Sequence, residues 1–284
     1  MISSSKILKF ALIPVLALGL WLEVAIQAFA GESLSFKLGL LAEISSNKNI
    51  SAYYEERGFA PIWIDSSVES AERRAALLRV LDAVSLHALP ERKYGRDALV
   101  EGLNSARTTS DLGALEAMFT RAYLSYANDV QSGLLKPSDV HELIARKTIY
   151  RSVEDYLSGA ASQDAVDYIV TLPPQTREYN NLLSARQELL QVIEMGGWGK
   201  PVPQGTYRLG DSGANIVTLR NRLIGMNYIA RSVSGVFDEE MLRAVKAFQK
   251  DHGLLSDGVA GAGTIEEMNK SVFDRLKSVT VALE

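Results

Sequence analysis

The sequence predicts a mainly α protein in which a helical scaffold domain is followed by a small three-helix domain. Upstream, apolar residues recur at helical spacing in Ala71 to Leu86 and in Leu112 to Tyr126, and this spacing places them on one face of a helix. Three more helical patterns follow between Leu209 and Met268. Strand signals are few upstream of Met195, so we expect helices to form the core of both domains.

The two upstream patterns predict which residues face the core. In the first stretch they are Ala75, Leu78, Leu81 and either Val84 or Ser85. In the second stretch they are Leu115, Met118, Phe119 and Ala122. Each set recurs every three or four residues, which is typical of an amphipathic helix packed on one side.

The first helix of the downstream domain is predicted to begin at Asp211 or Ser212, because either side chain can accept a hydrogen bond from a free first-turn amide. A turn at residues 225–228 is expected to end it. The residues of its apolar face are Ile216, Leu219 and Leu223, and Arg220 and Arg222 are expected on the flanks of that face.

The second and third helices carry equally clear boundary signals. Asp238 is the expected N-cap of the second, and Gly253 the expected left-handed residue after its end. Its apolar face is Met241, Ala244, Val245 and Phe248. Thr264, with Glu267 three residues later, predicts a capping box for the third helix ahead of Ile265 and Met268.

These residues together resemble the peptidoglycan-binding-like domain of cell-wall amidases, hydrolases and L,D-transpeptidases. The resemblance implies a small three-helix domain that docks on the glycan-peptide polymer of the bacterial wall, so peptidoglycan is the expected partner. The matching string is Leu219-Arg220, Leu223, Tyr228, Gly235-Val236-Phe237-Asp238, Ala244-Val245-Lys246, Phe248-Gln249, His252-Gly253-Leu254, Asp257-Gly258, Gly261 and Thr264.

A second set of motifs lies upstream of this domain: Tyr53-Tyr54-Glu55-Glu56-Arg57-Gly58-Phe59-Ala60-Pro61-Ile62-Trp63, His87-Ala88-Leu89-Pro90, Tyr94, Trp198 and Pro201-Val202-Pro203. These motifs resemble the non-catalytic scaffold of large periplasmic L,D-transpeptidases. The two resemblances together cover most of the mature chain.

The chain departs from that family at its catalytic group. The family's nucleophile is a cysteine activated by a histidine, whereas these 284 residues contain no cysteine. We therefore assign no catalytic residue. Residues Ser271 to Glu284 look helical and resemble the helix that leads into the missing catalytic domain, which suggests a truncated or split gene; the alternative is a naturally short protein with a frayed terminal helix.

The amino terminus predicts export. Lys6 and Lys9 precede an apolar run from Phe10 to Leu22, and Ala28-Phe29-Ala30 fits the small-x-small pattern of a signal-peptidase site. The alternative is an uncleaved membrane anchor, but Pro14 and Glu23 leave the run short of the roughly 20 residues needed to span a bilayer. We expect cleavage after Ala30 and a periplasmic protein without a stable membrane span.

Charge and composition narrow the possible partners. The net charge is −4 and both signs are interspersed, which argues against nucleic acid, because phosphate binding relies on a basic surface. Without cysteine no disulfide supports the fold, so the apolar core must suffice. No cofactor is expected.

Composition also predicts the domain boundaries, because residues 196–207 have the glycine and proline density of a linker. We expect a signal peptide (1–30), a helical scaffold domain (31–195), that linker, a peptidoglycan-binding-like domain (208–270), and a C-terminal helix leading toward a missing domain (271–284).

Most candidate functional groups have a structural interpretation as well. The aromatic residues Tyr53, Tyr54, Phe59 and Trp63 could stack on a sugar, but a core cluster is favoured. Glu55, Glu56 and Asp65 could suggest the paired acids of a glycosidase, but a solvated helix face is favoured.

No metal site is assigned, because the three histidines, His87, His141 and His252, are far apart without neighbouring ligands. The expected ligand contacts are Asn227, Tyr228, Arg231 and Ser234, which lie between helices one and two of the downstream domain.

The preferred function is peptidoglycan binding and scaffolding in cell-wall biogenesis. One alternative is a wall hydrolase, which would need an acid or metal site that these residues do not assemble. Another is an adaptor in which the scaffold binds an envelope protein and the module has lost its glycan affinity.

Overall fold

A computed structural model describes residues 33–134 and 151–283 of this chain. Helices dominate both ranges, and the described residues pair as β only at two isolated bridges, Tyr207 with Ala260 and Ser212 with Val236. The mainly α class is confirmed. Within the described residues, no helix combines the length and apolar character needed to cross a membrane; the expected signal peptide lies outside them.

Contacts divide the chain into two compact units. The described part of the first comprises residues 33–85, 90–132 and 151–173. Its helices are α1 (residues 33–44), α2 (Lys48–Glu56), α3 (Val68–Asp82), α4 (Arg96–Ser105), α5 (Thr109–Ser132), α6 (Val153–Ala160) and α7 (Ala165–Val170), with a 3-10 turn at Glu91–Tyr94.

The described part of the second unit comprises residues 86–89, 133–134 and 174–283. Its helices are α8 (Arg177–Glu194), α9 (Ala214–Gly225), α10 (Glu239–Asp251), α11 (Ala262–Asn269) and α12 (Val272–Leu283). Helices α8 and α12 pack against each other. The domain boundaries derived from the sequence stay a prediction.

A buried carboxylate organises the first unit. The Glu116 side chain, fully buried on α5, accepts hydrogen bonds from the backbone amides of Ile62, Trp63 and Ile64 at 2.7, 3.0 and 2.8 Å. The Tyr54 hydroxyl donates a fourth bond at 2.6 Å. Burial raises the pKa of the Glu116 carboxyl above its ordinary value, while these four bonds oppose that rise.

The same network confirms the core interpretation of the aromatic cluster. Tyr53, Tyr54 and Trp63 are buried, and Phe59 is partly buried. The Trp63 indole donates to Thr120 at 3.1 Å and stacks near Phe119. A sugar could not reach the rings of Tyr53, Tyr54 and Trp63, because the protein already covers them. Glu55, Glu56 and Asp65 are exposed, as a solvated face requires.

The two predicted helix faces differ in accuracy. On α5, Leu115, Phe119 and Ala122 are buried as expected, and Met118 is partly buried. On α3 the predicted face is partly right, because Leu81 is buried and Leu78 is partly buried, whereas Ala75 is exposed and Ala76 and Leu77 are buried in its place. The helix ends at Asp82, and Val84, which is buried as predicted, lies in a separate 3-10 turn, Val84–His87.

Within the second unit, the boundary signals of α10 are confirmed. Asp238 is the N-cap and its side chain accepts a bond from the Met241 amide at 2.9 Å. Gly253 adopts a left-handed φ of +66° just past the end, which glycine tolerates because it has no Cβ. The helix contributes Met241, Ala244, Val245 and Phe248 to the core.

The predicted starts of α9 and α11 are wrong. Helix α9 begins after Gly213 without a side-chain cap, because Ser212 pairs with Val236 and the Asp211 carboxylate accepts from the Arg208 amide. Helix α11 begins after Gly261, so Thr264 lies inside it. There the Thr264 hydroxyl accepts from Gln249 at 3.1 Å.

Arg220 and Arg222 are buried rather than flanking the core, with 1% and 5% of their surface exposed. Arg220 contacts the Asp238 carboxylate at 2.6 Å and the Val236 carbonyl at 2.8 Å. Among the described residues, its Nε and Nη1 atoms have no hydrogen-bond partner. Asp238 is therefore the carboxylate that compensates for the buried charge of Arg220.

Replacing Glu116 with glutamine should destabilise the first unit by about 1–3 kcal/mol, because one acceptor oxygen becomes an amide group that faces buried donors. The measurement is the free energy of unfolding in urea. Glu101→Gln, an exposed change on α4, is the control and should leave stability unchanged. Equal midpoints for all three proteins would show that the carboxylate does not organise the unit.

Replacing Asp238 with asparagine should destabilise the second unit by about 1–3 kcal/mol at pH 7, because asparagine keeps the cap but leaves the Arg220 charge unpaired. The Met241 amide and then Arg220 hold the pKa of Asp238 below its ordinary value. The stabilisation is therefore present above the unfolded pKa, near 4, and is lost as pH falls through the folded pKa.

Thermal unfolding of the Asp238→Asn and wild-type proteins between pH 3 and pH 7 measures this effect. The two curves should converge as pH falls. Glu239→Gln, in the same first turn but exposed, is the matched control. A constant difference across this range would contradict the assigned role of the carboxylate.

Candidate functional site

Two of the open clefts of the second unit share Trp198 in their lining. The Tyr228 cleft has a volume of about 600 Å³ and is lined by Ala185, Glu188, Leu189, Val192, Trp198, residues 225–228, His252, Arg275, Ser278 and Val279. The Arg231 cleft has a volume of about 470 Å³ and is lined by residues 197–199, Asn221, Ile224, Gly225 and residues 231–233. Both volumes are typical of small-molecule sites.

The turn after α9 positions the floor of the Tyr228 cleft. Asn227 adopts a left-handed φ of +64°, a conformation that asparagine accepts more readily than most residues with a side chain. The Tyr228 amide then donates to the Leu223 carbonyl at 2.9 Å, which closes the end of the helix. The Asn227 side chain is left exposed in the cleft.

Tyr228 is held by two aromatic neighbours on α10 and at its end. Its ring meets Phe248 edge-on at 5.5 Å, and His252 stacks on the same phenylalanine at 4.0 Å. The hydroxyl donates to Asp251 at 3.1 Å. Partial burial, reinforced by Asp251, raises the pKa of Tyr228 to about 12, so the cleft presents a neutral phenol at physiological pH.

The cation of the Tyr228 cleft is already paired. Arg275 contacts the Glu267 carboxylate at 2.6 Å, and Lys270 contacts its other oxygen at 2.6 Å. The hydrogen bond from Lys270, followed by that from Arg275, lowers the pKa of Glu267 below its ordinary value, so Glu267 stays ionised. Glu188 also lines the cleft, so two cations and two carboxylates balance and no net positive charge attracts an anionic ligand.

Trp198 is fixed in the lining of both clefts by close backbone packing. A Cβ at Gly225 would come within 3.1–3.3 Å of the Trp198 backbone, so the glycine permits the close approach. The Arg222 guanidinium lies 5.5 Å from the centre of the Trp198 ring. The same arginine donates to the carbonyls of Gly199, Met268 and Lys270 at 2.8–3.1 Å.

The four predicted ligand residues do not share one site. Asn227 and Tyr228 line the Tyr228 cleft, and Arg231 lines the Arg231 cleft. Ser234 lines neither of these clefts, and its hydroxyl accepts from the Val236 amide at 3.3 Å. Their roles in binding stay predictions.

Sequence reasoning missed Trp198 and Arg275 as candidates. Trp198 lies in the predicted linker, and a single tryptophan among glycines is the signal that could have indicated its place in the lining of both clefts. No local pattern points to Arg275, because its place in the cleft comes from the packing of α12 beside the α9 turn.

Groups that could hold a metal do not converge in residues 33–134 and 151–283, where no three His, Asp or Glu side chains cluster. His87 is engaged with the Tyr179 hydroxyl at 2.7 Å, and His252 with the Phe248 carbonyl at 2.8 Å. His141 lies outside the described residues.

Comparison with known families assigns the module that carries the α9 turn and part of this surface. Residues 212–268 match the family model described as "putative peptidoglycan binding domain". The chain contains a peptidoglycan-binding domain. This supports a peptidoglycan-binding role and peptidoglycan as a partner. Residues 48–185 match a second family model, described as a scaffold domain. No curated protein matches the chain.

Proposed function

We propose that this chain is an exported peptidoglycan-binding protein of cell-wall biogenesis, corresponding to the non-catalytic portion of an L,D-transpeptidase. The observation that carries the proposal is the match of residues 212–268 to a peptidoglycan-binding domain, whose α9 turn opens onto two accessible clefts. The scaffold match upstream supports the transpeptidase relation, because the two domains follow the order of the family that the sequence resembles.

The buried residues of the module serve its fold, which leaves its exposed turn available for a ligand. The core of the module is apolar and well filled, and its polar groups are used to hold loops. Gln249, for example, donates to Asp257, Val259 and Thr264, and accepts from the Gly258 amide at 2.9 Å. With no cysteine in the 284 residues, this stretch supplies no thiolate for cross-linking.

Purified residues 31–284 should pellet with peptidoglycan sacculi at micromolar protein and show no cross-linking activity. The pellet and the supernatant are compared by gel, with Trp198→Ala as a variant that removes the ring shared by both clefts. Retention of the wild-type protein in the supernatant would count against the binding role. Cross-linked muropeptides in the products would contradict the non-catalytic assignment.

Export is the second part of the proposal and rests on the amino-terminal sequence. The protein isolated from the periplasmic fraction of the producing cells should begin at Gly31, and its intact mass measures this directly. Ala28→Arg should block processing, because signal peptidases require small residues at that position. A wild-type protein that still begins at Met1, or that stays in the cytoplasmic fraction, would contradict export.

A further inference from the structure

The Tyr228 cleft is built largely by segments that neither family match covers. One wall is formed by α8 and α12, which contribute Leu189, Ser278 and Val279. Trp198, from the glycine-rich segment before the module, forms an edge. These residues lie outside residues 48–185 and 212–268, so the module alone supplies only part of the cleft.

The charges in the cleft disfavour one of the two components of peptidoglycan. Of the described residues that line it, Arg275 and Glu188 carry charge at neutral pH, and Arg275 is paired with Glu267 at 2.6 Å. Stem peptides carry several carboxylates, which need unpaired cations or converging N–H groups to compensate for their desolvation. The lining offers neither a free arginine nor a lysine.

The remaining groups suit a neutral, amphipathic ligand. The Trp198 and Tyr228 rings and the side chains of Leu189 and Val279 give an apolar lining, and the Asn227 amide and Ser278 hydroxyl add hydrogen-bonding groups. Aromatic rings pack well against the C–H face of a pyranose, and a few placed polar groups then fix its orientation. The acetamido group of an amino sugar can exchange hydrogen bonds with an amide such as that of Asn227.

We propose that the Tyr228 cleft binds an N-acetylhexosamine unit of the glycan strand, and that helices α8 and α12 complete this site. The inference rests on the proposed function, since it assigns the component of peptidoglycan that the protein recognises. It also makes the binding unit larger than the three-helix module. The stem peptides then contribute little to affinity.

The test fills the cleft from the α12 wall. Ser278→Trp places a large ring among the lining residues, and Ser184→Trp is the matched control. Both serines are exposed, and each bonds to the carbonyl four residues earlier, Asp274 and Asn180 respectively. Only Ser278 lines the Tyr228 cleft. A tryptophan at either position therefore disturbs its own helix similarly.

Binding of residues 31–284 is measured to intact sacculi, to glycan strands stripped of stem peptides by an amidase, and to a soluble N-acetylglucosamine tetramer. The wild-type protein should bind all three. Ser278→Trp should weaken binding by on the order of tenfold or more, and Ser184→Trp should leave it unchanged. Melting temperatures are recorded for every variant.

A second variant keeps the test decisive if Ser278→Trp perturbs the fold. Asn227→Gly preserves the left-handed backbone at φ +64° and removes the side chain with its amide, so binding should fall about 2- to 10-fold without loss of thermal stability. If the wild-type protein binds sacculi and both variants bind as well as the wild type, this inference is overturned and the proposed function stands. The same conclusion follows if the wild-type protein no longer binds once the stem peptides are removed. If the wild-type protein does not bind sacculi, both the inference and the proposed function are overturned.

Discussion

The candidate site depends on one buried guanidinium. Arg222 joins the carbonyls of Gly199, Met268 and Lys270 and lies beside the Trp198 ring. Its bonds therefore connect the glycine-rich segment, α9 and the junction between α11 and α12. Two of its acceptors are at the end of α11, where the helix dipole and free carbonyls favour a cation. Burial lowers the pKa of Arg222, but an arginine stays charged, so the carbonyls are held in place.

In the first unit a buried negative charge, the Glu116 carboxylate, binds the backbone groups of a loop in the same way. Glu116 gathers three consecutive amides of the segment between α2 and α3, and the side chains of Arg73 and Arg74 bind the carbonyls of Ile62 and Trp63 from the other side. An irregular segment cannot satisfy its own backbone groups as a helix does. In both units a buried charge on a helix satisfies such groups, and this fixes the course of the loop that it contacts.

This arrangement bears on the proposed site because the recognised module supplies only part of the Tyr228 cleft. The family match at residues 212–268 includes the turn that carries Asn227 and Tyr228, whereas Trp198 and the α8–α12 wall lie outside it. Arg222 fixes Trp198 relative to that turn. The shape of the Tyr228 cleft is thus set by packing between the module and the segments that flank it, and a module excised at its own boundaries would lack one side of the cleft.

The sequence by itself determined the mainly α class, the apolar faces of α5 and α10, and the Asp238 and Gly253 boundaries, because these follow from spacing and from one-residue capping chemistry. It also indicated the peptidoglycan-binding module, because many residues between Leu219 and Thr264 match that domain at the same spacing. Tertiary structure alone decided that Arg220, Arg222 and Glu116 are buried, since a charged residue on a helix looks solvated until its distant partners are known. It likewise decided that Thr264 bonds Gln249 rather than capping α11, and that Trp198 and Arg275 meet at one cleft. Those outcomes depend on groups that are far apart in sequence, and local patterns carry no information about such pairings.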